Sequence, residues 1–118
     1  ETGALVAAWR LPKDDPSRAA RNEAATRAAA EVPLALAEAC ARIFPLAAQV
    51  LEKGVASARS DGKLAVLFAA AAIRGALYNV RINIKNMPEN EYTKLLITRQ
   101  KTLANQAEQA ERELLGRM

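Results

Sequence analysis

Alanine limits what this chain can fold into more than any other residue: it fills 27 of 118 positions and recurs along most of the length. Alanine loses no side-chain entropy on ordering and is the strongest helix former. Strand-like alternation, internal repeats and low-complexity tails beyond the alanine bias are absent from the pattern. The expected class is therefore all-α, a multi-helix bundle. Alanine buries little area, and aromatics are only 4 % of the residues, so the core is thin and its helices must approach closely. Such a core calls for a partner subunit, or for further chain, to bury enough surface. One domain, or part of one, is all that this length accommodates.

Prolines and glycines divide the helical pattern. Gly3 to Leu11 reads as a helix stopped by Pro12, which cannot continue the hydrogen-bond ladder. Lys13 to Pro16 is a polar connection, with Asp15 or Ser17 as the cap of the next helix. That long helix runs to Lys53, with Gly54 as its C-cap. Pro33 and Pro45 inside it are expected to kink it or split it. Leu34, Leu36, Cys40, Ile43, Leu46, Val50 and Leu51 are its expected buried face. Val55 to Arg59 reads as a loop, and Ser60 as the cap of a helix from Asp61 to about Asn86. The last helix spans Glu91 to about Leu115, with Tyr92, Leu96, Leu103, Ala110 and Leu114 at heptad-like spacing. Arg99 and Gln106 weaken that seam, so this helix is expected to pack across a partner.

Residue types exclude several chemistries. The chain has no histidine, and so lacks the commonest metal ligand and general base. Cys40 has no second cysteine to pair with and no histidine to activate it, so a small buried thiol is the better reading. No metal-spaced cluster, glycine-rich phosphate loop or nucleophile triad occurs. The net charge of +4 comes from acidic and basic residues that alternate, as on a solvated surface, which argues against nucleic acid. No uninterrupted apolar run reaches a membrane span, and no signal peptide is evident. A soluble, cytoplasmic protein is expected.

The helix from Asp61 to Lys85 carries the most information. At about 100° per residue, Arg74, Tyr78, Arg81 and Lys85 fall in one stripe. Asp61, Asn79 and Asn83 fall on the other side, in line with Ala65, Ala72 and Ala76. Val66, Ile73, Leu77, Val80 and Ile84 make the apolar face between them. The cationic stripe is either a solvated face or a clamp for an anion, which arginine grips with two prongs. The two asparagines either bond between closely packed helices or orient a polar ligand. Trp9 and Tyr92 read as packing residues.

In order and spacing, Ala7-Ala8-Trp9-Arg10-Leu11-Pro12-Lys13, Glu31-Val32-Pro33-Leu34, Ala37-Glu38-Ala39-Cys40, Glu52-Lys53-Gly54, Ser60-Asp61 and Arg74-Gly75-Ala76-Leu77-Tyr78-Asn79-Val80-Arg81-Ile82-Asn83 resemble the cyclodeaminase/cyclohydrolase family. That family comprises the cyclodeaminase part of formiminotransferase-cyclodeaminase and the methenyltetrahydrofolate cyclohydrolases of the same fold. The resemblance implies a helical subunit that pairs into a homodimer and binds a tetrahydrofolate derivative between helices. It implies either closure of formiminotetrahydrofolate to methenyltetrahydrofolate with loss of ammonia, or hydrolysis of methenyltetrahydrofolate to formyltetrahydrofolate. No metal and no cofactor beyond the folate is implied. The family's Pro-Gly-Gly-Gly segment has no counterpart here, so residues 1–118 are expected to be the C-terminal part of one domain whose N-terminal part is absent. Carried onto this sequence, the resemblance makes Asp61 the candidate for proton transfer or for holding a protonated nitrogen. Lys13 and Arg74 become candidates for the anionic end of folate or for polarising the one-carbon unit. Asn79 and Asn83 would orient polar edges, and Arg81 and Lys85 would attract the glutamate tail or simply face solvent. The alternative is a non-catalytic helical dimerisation module that retains the fold.

Overall fold

The computed structural model describes residues 17–116. The expected first helix, Trp9 and Lys13 lie outside the described residues. Four helices succeed one another: α1 (Arg18–Ala41), α2 (Ile43–Lys53), α3 (Ala56–Lys85) and α4 (Glu91–Leu115). No strand occurs among the described residues. The all-helical bundle expected from the alanine pattern is what forms. α3 is the central rod and touches each of the other three helices.

The two prolines behave differently. Pro33 sits inside α1 without ending it. Pro45 lies in the first turn of α2, and the break falls at Arg42. A proline at 45 has no N–H for the Ala41 carbonyl and its ring crowds that group, so the helix stops there. The Arg42 N–H bonds instead to the Ala39 carbonyl at 3.2 Å, a tight last turn. Gly54 closes α2 as expected, its N–H donating to the Val50 carbonyl at 2.7 Å. A Cβ at Gly54 would lie 2.4 Å from that oxygen, so the approach requires glycine.

Three expectations are corrected. α3 begins at Ala56 with Val55 before it, so Ser60 and Asp61 lie in its second turn rather than at its cap. Nothing between Ala56 and Ser60 breaks a helix, and alanine favours one. The inner face of α1 and α2 is Ala30, Leu34, Ala37, Phe44, Ala47 and Leu51, whereas Leu36, Ile43, Leu46 and Val50 are exposed. The break at Arg42 resets the register, and alanines form the close contacts that larger residues would prevent. Finally, α4 packs within its own chain, burying Leu96, Leu103 and Leu114 against the core. Its start is capped by Asn90, whose Oδ1 accepts from the Thr93 N–H at 2.9 Å.

The stretches 18–53 and 56–85 are each long and apolar enough to cross a membrane on length and composition alone. Alanine supplies much of that apolarity, and both stretches pack one side into the bundle.

Candidate functional site

The buried side of α3 is the apolar face read from its periodicity: Val66, Ile73, Leu77 and Val80 are fully enclosed. The polar residues of interest sit on its flanks and outer side. Arg74 is ion-paired with Glu111 of α4. Arg81 reaches Gln100, also of α4. With the amide assigned so that its oxygen faces the guanidinium, that oxygen accepts from Nε at 3.1 Å and from a terminal nitrogen at 3.0 Å. The Arg81 guanidinium also lies 5.7 Å from the Tyr78 ring centroid. Two of the three cations of the stripe therefore hold α3 to α4, and Lys85 is left exposed.

On the opposite flank, Asn83 donates to the Ala29 carbonyl of α1 at 3.2 Å and to the Asn79 carbonyl at 2.8 Å. Ala29 stands four residues before Pro33, so its carbonyl is the one that Pro33 leaves without a helical donor. The asparagine thus repairs the defect of a proline 50 positions away in sequence. Inter-helix bonding, one of the two readings of this residue, is what the geometry supports. Asn79 and Asp61 are exposed. They lie 18 residues apart, five helical turns, and so stand in line but about 27 Å apart along α3. The fold gathers Asp61, Arg74, Asn79, Arg81 and Asn83 onto one helix without bringing them to one point. Cavities of about 230, 300 and 450 Å³ open among the described residues, and other side chains line them.

A polar cluster that sequence reading missed joins α1 to α4. Arg99 donates to both oxygens of Glu31, at 3.3 and 3.2 Å, and to Glu38 at 2.8 Å. Tyr92 donates to Glu31 at 2.7 Å, and Arg27 lies over its ring at 4.3 Å. Burial, then the Glu31 hydrogen bond and charge, raise the Tyr92 phenol to about 12. The hydrogen bond to Glu38, followed by the charges around it, raises Arg99 above its usual value against the opposing effect of burial. Arg99 was legible only as a flaw in a heptad seam, and no local signal connects it to carboxylates more than 60 residues away. With its guanidinium shared between two carboxylates, the cluster works as a clip between helices.

Comparison with known proteins gives the arrangement its context. The family described as formiminotransferase-cyclodeaminase matches residues 3–102. The chain belongs to the formiminotransferase-cyclodeaminase family. It is 37% identical to a methenyltetrahydrofolate cyclohydrolase of Methylorubrum extorquens over 93 residues, covering 75% of this chain and 45% of that protein. It is 32% identical to the formimidoyltransferase-cyclodeaminase of Sus scrofa over 119 residues, covering 98% of this chain and 22% of that protein. The chain therefore spans less than half the length of these relatives. The family match takes in all of α1, α2 and α3, and the first half of α4.

Proposed function

We propose that this chain is part of an enzyme of folate one-carbon metabolism, acting on the carbon that bridges two nitrogens of a tetrahydrofolate. The family match across residues 3–102 carries the reading. Two reactions fit. In cyclodeamination, the second folate nitrogen attacks the formimino carbon, the bond from that carbon to its terminal nitrogen breaks, and ammonia leaves as the methenyl bridge closes. In hydrolysis, water adds to the methenyl carbon, a proton is lost, and one carbon–nitrogen bond opens to leave a formyl group. Both need a side chain that takes and returns a proton. A carboxylate can fill that role, and Asp61, which the family resemblance singles out and which is open to solvent on α3, is the candidate. Asn79 is the candidate for a polar edge of the ligand, with Asn83 behind it. Lys13 and Arg74 are candidates for folate's anionic end. Arg74 would act there only by sharing or exchanging Glu111, and Arg81 is similarly committed to Gln100. We place the protein in the cytoplasm, as a homodimer or in association with further chain, with the folate as its only cofactor.

Turnover is measured from the absorbance of methenyltetrahydrofolate at neutral pH, with formiminotetrahydrofolate as parallel substrate. Loss of the first identifies a cyclohydrolase, and formation of the methenyl product from the second a cyclodeaminase. Asp61→Asn should then abolish turnover while folate binding persists; unchanged turnover would remove Asp61 from the chemistry. A second reading, a non-catalytic helical pairing module, is favoured by the intramolecular commitment of Arg74 and Arg81. It predicts neither turnover nor folate binding by calorimetry, even when the protein is joined to the remaining domain of a relative.

A further inference from the structure

A cavity of about 230 Å³ lies where the first half of α1 meets the connection from α3 to α4. It stands at the opposite end of α3 from Asp61, about 37 Å along the helix. Three asparagines, Asn22, Asn86 and Asn90, line it together with Thr26, and Met87 and Pro88 add an apolar wall.

Each asparagine has a different part of its amide left over. Asn86 donates to the Ile82 carbonyl at 3.3 Å, which leaves its oxygen to accept. Asn90 spends its oxygen on the N–H and the hydroxyl of Thr93, at 2.9 and 3.1 Å, which leaves its NH2 to donate. Asn22 carries the decisive observation. Its Oδ1 is enclosed, and no donor among the described residues reaches it. A buried oxygen without a donor costs stability that an apolar side chain in its place would not. Leucine is also the better helix former, so asparagine is a costly choice at position 22 unless its amide meets a ligand.

The charges at the cavity narrow the class of that ligand. Glu23 and Arg27 also line it, but they neutralise one another in an ion pair at 2.8 Å. The Arg27 guanidinium is further occupied by the Tyr92 ring, 4.3 Å away. An anion would meet Glu23 and the Asn22 oxygen, and a cation would meet Arg27. The wall that remains is neutral and two-sided: the oxygens of Asn22 and Asn86 accept, and the NH2 of Asn90 donates. A carboxamide presents the reciprocal pair, an NH2 that donates and an oxygen that accepts. An aromatic ring carrying it would rest on Pro88 and on the Met87 thioether, a favourable contact for sulfur. The volume admits a single ring with its substituent.

We propose that this cavity binds a small neutral carboxamide borne on one aromatic ring, held by Asn22, Asn86 and Asn90. The site is separate from the flank of α3 that carries Asp61, and it stands or falls independently of the folate chemistry.

The test titrates nicotinamide into the full chain at neutral pH and follows the side-chain amide signals of the asparagines by NMR. Saturable shifts at Asn22, Asn86 and Asn90 are expected, with a Kd on the order of 1 mM for a ligand of this size. Nicotinic acid keeps the ring but is charged and has no amide N–H, so it should bind about 10-fold more weakly or worse. Asn22→Leu should weaken nicotinamide binding by about 10-fold or more. The same variant should raise the thermal midpoint by roughly 2–5 °C, since the unsatisfied oxygen is gone. Absence of saturable shifts up to about 50 mM, equal binding of nicotinic acid, or undiminished binding to Asn22→Leu would each overturn the proposal. So would a lowered midpoint in Asn22→Leu, which would make the amide a requirement of the fold.

Discussion

Asn83 and Pro33 form a pair whose energetic coupling can be worked out from the geometry. The Ala29 carbonyl loses its helical donor to Pro33 and receives the Asn83 amide at 3.2 Å. In Asn83→Ala that partly buried carbonyl has no strong donor. Leaving such a group unsatisfied costs about 1–3 kcal/mol, offset by roughly 0.6 kcal/mol for alanine's better helix propensity. The net loss expected is about 1–2 kcal/mol. In a Pro33→Ala background, residue 33 regains its N–H and satisfies Ala29 itself. Removing Asn83 then costs only an exposed hydrogen bond to the Asn79 carbonyl, nearly cancelled by the propensity gain, for a net within about 0.5 kcal/mol of zero. The coupling across the cycle is therefore about 1–1.5 kcal/mol. Whatever Pro33→Ala does by itself drops out of the cycle. Urea unfolding of the four proteins at one fixed protein concentration measures it, since association would otherwise shift apparent stability. If Asn83→Ala costs the same in both backgrounds, within ~0.3 kcal/mol, the carbonyl repair is wrong and Asn83 is free for another role.

The clip, the half-buried phenol and the tight glycine each give a further expected outcome. Arg99→Ala should lower stability by about 0.5–1 kcal/mol in denaturant unfolding, because it removes the shared cation from Glu31 and Glu38 in a network that is partly exposed and screened by water. With the Tyr92 phenol raised to about 12 above its ordinary 10, the folded state holds that proton more tightly than the unfolded one. Its stabilisation is thus full below about pH 10 and is lost as pH climbs from 10 toward 12; Tyr92→Phe should flatten that part of a stability-versus-pH curve. Gly62→Leu should cost about 1–3 kcal/mol by forcing Val50 and Leu51 away from α3, read as a lower thermal midpoint without loss of helical signal at room temperature.

The parts of the fold legible in the sequence are those where a breaker and a large apolar residue agree. Gly54 ends α2, and the Met87-Pro88 connection separates α3 from α4. Val66, Ile73, Leu77 and Val80 share one helical phase and form the enclosed inner side of α3 that the periodicity indicates. Alanine erased the signal elsewhere. Ala30, Ala37, Ala47, Ala69 and Ala70 are all buried, but an alanine is equally at home on either side of a helix, so periodicity could not assign them. The start of α3 is hidden for a related reason: the run from Ala56 to Ser60 has helical propensity but no apolar phase. Of the candidate site, the grouping of Asp61, Arg74, Asn79, Arg81 and Asn83 on one helix was legible. What occupies each side chain was not, since Glu111, Gln100 and Ala29 reach them only through tertiary packing.

That distinction bears on where the chemistry resides. A stripe of arginines beside an apolar face has two fates, a ligand clamp or a zip to the next helix, and α4 decides between them by presenting Glu111 and Gln100 at the heights of Arg74 and Arg81. An anion arriving at Arg74 competes with a carboxylate already in place, so affinity there is reduced by whatever the ion pair contributes. Asn83 is likewise engaged, held by a carbonyl that Pro33 exposes. Asp61, Asn79 and Lys85 carry no such commitment among the contacts of the described residues, and all three lie exposed on α3. They are therefore the side chains with polar capacity left to offer a ligand, and Asp61 and Asn79 share one edge of the same face. On one helix that edge is a line of widely spaced groups facing water, too open to desolvate a substrate or to hold it at two points. A second surface laid along the edge, whether from a partner subunit or from further chain, would exclude water and bring a second point of contact within reach of a ligand.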